Sequence, residues 1–324
     1  MTKYKFSFID LFSGIGGFRI ALESFGGKCE FSSEWDKYAA KTYEHNFGEK
    51  PAGDITKIEE EDIPYHDVLC AGFPCQAFSI SGKQGGFKDT RGTLFFDIAR
   101  IAKHHKPKVL FLENVKNLVR HDSGRTLSTI TRVLFDIGYE VFYEILDSGD
   151  FGIPQSRKRV FFVCFDKKYG IESFKFPRPE PGQVILKDIL QSDRETSDLV
   201  IDRADIKINE KAFPKKDIFG NYPQKPVRIG VINKGGQGER IYSIFGHAIT
   251  LSAYGGGVAA KTGAYYVNGK VRKLSTRECL RLLGFPDNFE LPVPLVQAYK
   301  QCGNSIVIPV VKEIFKNILE KGIL

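Results

Sequence analysis

The first half of the chain alternates between two hydrophobic periods. Six runs, FSFIDLF, CEFSSEW, HDVLCAGF, KVLFLENV, YEVFYEIL and RVFFVCF, are short and rich in β-branched and aromatic residues, as buried strands are. Between them, GGFRIALESF, KYAAKTYEHNF and TLFFDIARIAKHH repeat apolar residues at three- and four-residue intervals, the period of a helix with one buried face. Strands alternating with helices predict an α/β domain built on a doubly wound sheet. Near residue 180 the pattern breaks. FKFPRPEPGQVILKD is proline-rich, and the stretch to about 275 is rich in Gly, Lys and Arg with short strand-like pieces, the pattern of a smaller, mainly β domain. Helical periodicity returns at STRECLRLLGF and closes with a helix over IPVVKEIFKNILEK. The expected boundaries are 1–187 for the α/β domain, 188–276 for the smaller one, and 277–324 for a hinge and C-terminal segment returning to the first.

Composition narrows the chemistry. No apolar run approaches the ~20 residues of a membrane helix, and Asp10 interrupts the N-terminal MTKYKFSFIDLF where a signal peptide needs unbroken apolar residues. A cytoplasmic, soluble protein is expected. The six cysteines, Cys29, Cys70, Cys75, Cys164, Cys279 and Cys302, show neither CxxC nor paired Cys/His spacing, so neither a zinc site nor a disulfide framework is predicted. A net charge of +8 hints at a polyanionic partner without deciding for one.

Ligands of an open α/β sheet sit beyond the carboxyl ends of the strands, so the residues directly following strands carry the argument. The first strand runs into DLFSGIGGF, whose Gly14, Gly16 and Gly17 open a helix without GxGxxG spacing; a ligand can approach the backbone, with less room for a pyrophosphate. Glu34 ends the second run and can accept the hydroxyls of a ribose, with Trp35 available to an adenine ring and Asp54 to an adenine amino group. Jointly they favour an adenosine-containing cofactor without phosphates. Cys75 follows GFP, where Pro74 stiffens the approach and SISGKQGGFKDTRG downstream has the look of a lid; a thiol so placed can act as nucleophile. Glu113 directly follows VLFL, where a desolvated carboxyl can donate a proton, and Arg157 and Arg159 in QSRKRV can anchor a carboxylate or a phosphate.

FIDLFSGIGGF, GFPCQAFS, ENV, QSRKRV and QAYKQCGNSIV occur in the order and spacing of the DNA cytosine-5 methyltransferases, which the chain resembles over nearly its whole length. The resemblance implies a Rossmann-like S-adenosylmethionine-dependent methyltransferase with a mixed sheet and a smaller target-recognition domain. It implies Cys75 as the thiolate that adds to carbon 6 of cytosine, Glu113 as the acid at N3, and Arg157 and Arg159 around O2. S-adenosylmethionine would be held by Phe12, Gly14, Ile15, Gly16, Gly17, Glu34, Trp35, Asp54, Ile55, Pro74, Leu94, Asn304 and Ser305, leaving as S-adenosylhomocysteine, with no metal. Base flipping would use Ser81 and Gln237, and the Gly-rich tracts NKGGQGER and AYGGGVAAKTG would bring Arg240, Ser252, Tyr254, Gly255 and Gly257 to the DNA. The resemblance extends to family members that modify the first cytosine of GCGC, within a restriction-modification system in which a cognate endonuclease is a possible partner and a monomer suffices. Two stretches depart from the family pattern: YSIFGHAIT carries Phe245 and His247 where an arginine is expected, and ADIKINEKAFPKKDIFGNYPQK differs in length and composition.

Three other readings compete. A tRNA cytosine-5 methyltransferase shares the catalytic core but is disfavoured by the size and glycine content of the second domain. A silent DNA-binding regulator would have no use for both Cys75 and Glu113. A nucleotide-dependent oxidoreductase is disfavoured by the missing GxGxxG.

Overall fold

A computed structural model describes residues 5–74, 94–179 and 183–324. Contacts divide the chain into two compact units, one of residues 1–146, 158–177 and 311–324, the other of residues 147–157 and 178–310.

The first unit is built on a six-stranded mixed sheet. Its strands are β1 (Phe6–Leu11), β2 (Gly27–Ser33), β3 (Val68–Gly72), β4 (Val109–Val115), β5 (Tyr139–Asp147) and β6 (Lys158–Asp166), arranged in the order β2-β1-β3-β4-β6-β5. All six apolar runs of the sequence are these strands. Strands β2, β1, β3 and β4 run parallel, and β6 is antiparallel to β4. The helices α1 (Gly17–Glu23), α2 (Lys37–Phe47), α3 (Phe95–His105) and α4 (Arg125–Asp136) connect them. Alternation sorts the side chains to two faces. Ile9, Leu11, Leu69, Ala71, Leu110 and Leu112 pack with Phe95, Ile98, Ala102 and Ile130 of α3 and α4. The opposite parity places Phe6 against Phe315, with ring centroids 5.1 Å apart, and Phe111 edge-on to Phe18 of α1 at 5.2 Å. Both faces are therefore covered, which is why these strands read as continuous apolar runs.

Strand order reverses between β1 and β3, whose neighbours are filled outward to β2 on one side and to β4 on the other. Right-handed crossovers then leave a crevice at the carboxyl ends of β1 and β3. The Gly-rich turn and GFP are the segments that leave those two ends.

The second unit carries a five-stranded sheet, β7 (Ile206–Ile208), β8 (Arg228–Ile232), β9 (Arg240–Ser243), β10 (Ala264–Val267) and β11 (Lys270–Arg272), in the order β11-β10-β9-β8-β7. Its core is small: Ile201, Ile229, Ile232, Ile241, Ala264 and Val271. The helix α5 (Thr276–Arg281) starts with a capping box in which Ser275 and Glu278 satisfy each other's backbone N–H. Glu278, fully buried, also takes both terminal nitrogens of Arg272 at 2.8 Å. The helix α6 (Leu295–Asn304) follows, then α7 (Ile308–Leu319), whose residues from Val311 onward belong to the first unit. Among the described residues no helix is long and apolar enough to cross a membrane.

Candidate active site

The turn after β1 is shaped by backbone conformations that side chains resist. Phe12, Gly14 and Gly16 all have positive φ. A Cβ on Gly16 would lie 2.3 Å from the Phe47 ring, so only glycine lets α2 pack there, whereas Gly14 opens onto free space. Its N–H donates to Glu34 Oε2 at 2.9 Å, and Glu34 Oε1 accepts from the Asp36 N–H at 2.7 Å. Glu34 therefore ties the end of β2 to the turn after β1. Its carboxyl is nearly buried, and burial raises its pKa against the opposing pull of those N–H groups. Each oxygen keeps a further lone pair for a hydroxyl donor. Trp35 beside it is 77% exposed, its ring uncovered by protein. Asp54 caps the turn of residues 55–57, accepting from the N–H and hydroxyl of Thr56, while Ile55 is buried below it.

The cradle fits an adenosyl ligand. The buried hydroxyls of Ser13 and Ser33, at the ends of β1 and β2, have no hydrogen-bond partner among the described residues. With the open space over Gly14, the Glu34 carboxyl and the bare Trp35 ring, they offer polar and flat surfaces of the kind a nucleoside takes up. Ile15 and Gly17 lie buried behind the turn, Phe12 packs on the core, and Leu94 precedes α3. Asp10, next to the last residue of β1 and not predicted as a site residue from the sequence, is buried, and burial raises its carboxyl pKa well above the usual range despite the nearby Arg19.

The second crevice wall comes from β3 and β4. Their register sets Glu113 opposite Gly72, three positions before Cys75 in the chain. The Asn114 amide donates to the Phe73 carbonyl at 2.8 Å, and its oxygen accepts from the Val115 N–H at 2.8 Å, so the segment leading to Pro74 is pinned to β4. Across the antiparallel pair, Arg159 stands opposite Val115 and its Nε lies 3.0 Å from Glu113 Oε1. Both side chains are mostly buried. Glu113 is thus a mostly buried carboxyl paired with the Arg159 guanidinium, at the carboxyl end of β4 beside Gly72. Cys75 and Ser81 lie outside the described residues.

Arg157 belongs to the second unit, and its guanidinium is spent on backbone. Nη1 donates to the Leu251 carbonyl at 3.0 Å, and Nη2 donates to the Gly303 and Ser305 carbonyls at 3.1 and 2.5 Å. Gln155, fully buried and missed by sequence reasoning, holds the same loop from the other side. Its Oε1 accepts from the Leu251 N–H at 3.1 Å, and its Nε2 donates to the Leu282 carbonyl at 2.8 Å. Asn304 and Ser305 end α6 in this unit. A Cβ on Gly303 would meet the Ala253 nitrogen at 2.1 Å, so the backbones of α6 and the loop touch directly.

Two glycine tracts meet in the same way. A Cβ on Gly238, at φ +119°, would lie 2.2 Å from the Gly256 carbonyl oxygen, and the Ala259 N–H donates to the Gly238 carbonyl at 2.9 Å. This contact sets Gln237 beside the tract that carries Tyr254, Gly255 and Gly257, and these residues and Arg240 are all exposed, Tyr254 at 72%. Ser252 turns inward and donates its hydroxyl to the Tyr254 carbonyl.

A switch-point cradle that fits a nucleoside, a buried acid beside the segment leading to Cys75, and a second unit with its own sheet together match the α/β methyltransferase fold. Residues 6–320 match the model of the C-5 cytosine-specific DNA methylase family, and the chain belongs to that family. It is 55% identical over 311 residues to the type II methyltransferase M.HhaI of Haemophilus parahaemolyticus, covering 96% of this chain and 93% of that one. It is 46% identical over 334 residues to the type II methyltransferase M.HpaII of Haemophilus parainfluenzae, covering 98% and 90%. Among solved structures, the Dnmt2 methyltransferase of S. pombe superposes with a TM-score of 0.73 at 20% identity, over 99% of this chain and 100% of that one, a likeness of fold.

Proposed function

We propose that the chain methylates carbon 5 of the first cytosine in GCGC duplex DNA as the modification enzyme of a type II system, through a covalent adduct on Cys75. The observation that carries this reading is the strand register that sets Glu113 beside Gly72, three residues before Cys75 in the chain, with Asn114 pinning the Phe73 carbonyl and Arg159 holding the carboxyl. The identity of 55% to a type II methyltransferase supports it.

Carbon 5 of cytosine is a weak nucleophile. The Cys75 thiolate adds to carbon 6, and Glu113 donates a proton or hydrogen bond to N3 as electron density arrives there. Arg159 keeps Glu113 oriented and offers its remaining N–H groups to the O2 side of the base. The cofactor, S-adenosylmethionine, supplies an electrophilic methyl on its sulfonium. Glu34 and Asp54 would accept from its hydroxyl and amino groups, Trp35 would cover its adenine, and the Gly14 turn would admit its methionine end. Once the methyl is on carbon 5, loss of the carbon 5 proton to a base and expulsion of the Cys75 thiolate restore the ring. None of these atoms is accessible in a duplex, so the cytosine must leave the stack, and Gln237 would fill the gap while Arg240 reads a guanine.

Incubating the protein with labelled S-adenosylmethionine and either plasmid or tRNA, followed by bisulfite sequencing of the plasmid, tests the reading. Label on carbon 5 of the first cytosine of GCGC is expected; consistent methylation in another context removes the sequence assignment while leaving the chemistry, and label found on tRNA alone removes the DNA substrate.

A further inference from the structure

The two stretches that depart from the family pattern pack against each other. Tyr222 stacks on Phe245 with ring centroids 4.9 Å apart. Gln224 Oε1 lies 2.8 Å from His247 Nε2, and the His247 N–H donates to the Lys225 carbonyl at 3.1 Å. Between them, Gly246 is approached so closely that a Cβ would lie 2.7 Å from the Lys225 carbonyl oxygen. The residues that stand in place of the expected arginine therefore form the seat of the altered segment.

On that seat rises a short, self-braced turn. Asp217 Oδ1 accepts from the N–H groups of Phe219 and Asn221 at 2.8 and 2.9 Å, the Asp217 N–H donates to the Asn221 carbonyl at 2.9 Å, and the Gly220 N–H donates back to Asp217 at 3.0 Å. Gly220 takes the positive φ the turn needs. The tip presents Ile218 at 92% exposure and Phe219 at 80%. The Asp217 carboxylate is committed to the turn, and the same stretch of chain carries the exposed cations Lys211, Lys215, Lys216, Lys225 and Arg228, with Lys216 Nζ 5.3 Å from the centre of the Tyr222 ring.

From this geometry we infer that the segment 211–228 is a second DNA-contact element, in which Ile218 and Phe219 wedge against a base step flanking the target while Lys215 and Lys216 hold phosphates. The inference rests on duplex DNA being the substrate. Charge complementarity selects the occupant: residues 211–228 carry five exposed cations, and their one acid, Asp217, is satisfied within the turn beneath the apolar tip. Size agrees, because two side chains are too few to anchor a stable protein interface, whereas one or two apolar residues are what minor-groove wedges use. The braced turn presents them without an ordering cost at binding.

The test compares full-length wild type, I218S/F219S and K215Q/K216Q on a duplex with long flanks and on one trimmed close to the target, with 2-aminopurine placed at successive flanking steps. The wedge predicts that I218S/F219S binds the long duplex about tenfold more weakly, loses the rise in 2-aminopurine fluorescence that wild type produces at one step, and still methylates the trimmed duplex. K215Q/K216Q should lower the slope of log K against log salt by about 2, one phosphate contact each. All these residues are exposed, so both variants should melt as wild type does. Unchanged affinity, slope and fluorescence overturn the inference, as does a serine variant whose only change is loss of self-association in sedimentation, which would make the tip a protein contact. If wild type fails to methylate either duplex, the functional reading fails instead.

Discussion

The two units solve different problems with different parts of the residue. In the first, the candidate site residues are buried and tethered: Glu34 by backbone N–H groups, Glu113 by Arg159, and the segment before Cys75 by Asn114. In the second, the candidate reading residues are exposed, and what is tightly fixed is the backbone beneath them, through Gly238 against Gly256 and Gly303 against Ala253. The contrast follows from what each task needs. A proton donor must be desolvated and oriented before the substrate arrives. A groove reader must bring its backbone close to DNA and leave long side chains free to reach base edges.

The sharpest way to break this comparison is at Glu113. E113Q keeps shape and a hydrogen-bond donor but cannot deliver a proton, so methyl transfer should slow by about 10²–10⁴-fold, while S-adenosylmethionine affinity by calorimetry holds. A lost cofactor site would instead make Glu113 a structural residue. Next in size is R157M in the second unit, which strands the buried carbonyls of Leu251, Gly303 and Ser305 and should cost about 3 kcal/mol of stability. Denaturant unfolding measures it, and a cost near zero would show the guanidinium contacts to be incidental.

A pH titration separates the units by charge rather than by mutation. His66, fully buried in the first unit, donates from Nδ1 to the Pro64 carbonyl at 2.8 Å and lies with its ring 5.0 Å from that of His105. Burial lowers its pKa to about 4. The unfolded chain binds a proton below about 6.5 that the folded one refuses, so stability falls as pH drops from 6.5 towards 4, by about 2 kcal/mol on reaching pH 5. H66F should remove that part of the slope; the same slope in both proteins would assign the acid sensitivity elsewhere. A similar cost, about 1–3 kcal/mol, is expected of G238A, whose methyl meets the Gly256 carbonyl; it should relax site choice more than it slows methylation of a short duplex. The smallest effect is at the rim: R240A should lose about 1–3 kcal/mol of discrimination at a single guanine and leave stability unchanged, with competition between matched and mismatched duplexes as the readout.

Much of the first unit was legible because buried parallel strands announce themselves as unbroken apolar runs, and each of the six runs became a strand. The helix Arg125–Asp136 was not: Thr126, Thr129, Ile130, Thr131 and Val133 are β-branched and weak helix formers, and packing on the sheet decides their conformation. The pairing of Glu113 with Arg159 was hidden for a related reason, since inserting β6 antiparallel between β4 and β5 is a choice of topology that alternation does not encode. Gln155 and the backbone duty of Arg157 were equally silent, because a buried arginine tying three carbonyls and an exposed arginine awaiting a base have the same letter. In the second unit the glycines stood out, but which of them touch was set by the fold.

The central proposal is that the Cys75 thiolate adds covalently to cytosine while Glu113 assists as an acid, and trapping tests it most directly. A GCGC duplex carrying 5-fluorocytosine at the target, incubated with S-adenosylmethionine, should leave wild type bound irreversibly, because fluorine cannot depart as a cation; digestion and mass spectrometry should find the methylated base on the peptide that contains Cys75, and C75A should bind the duplex without adduct. An adduct forming equally well in C75A, or on any other residue, would contradict the account.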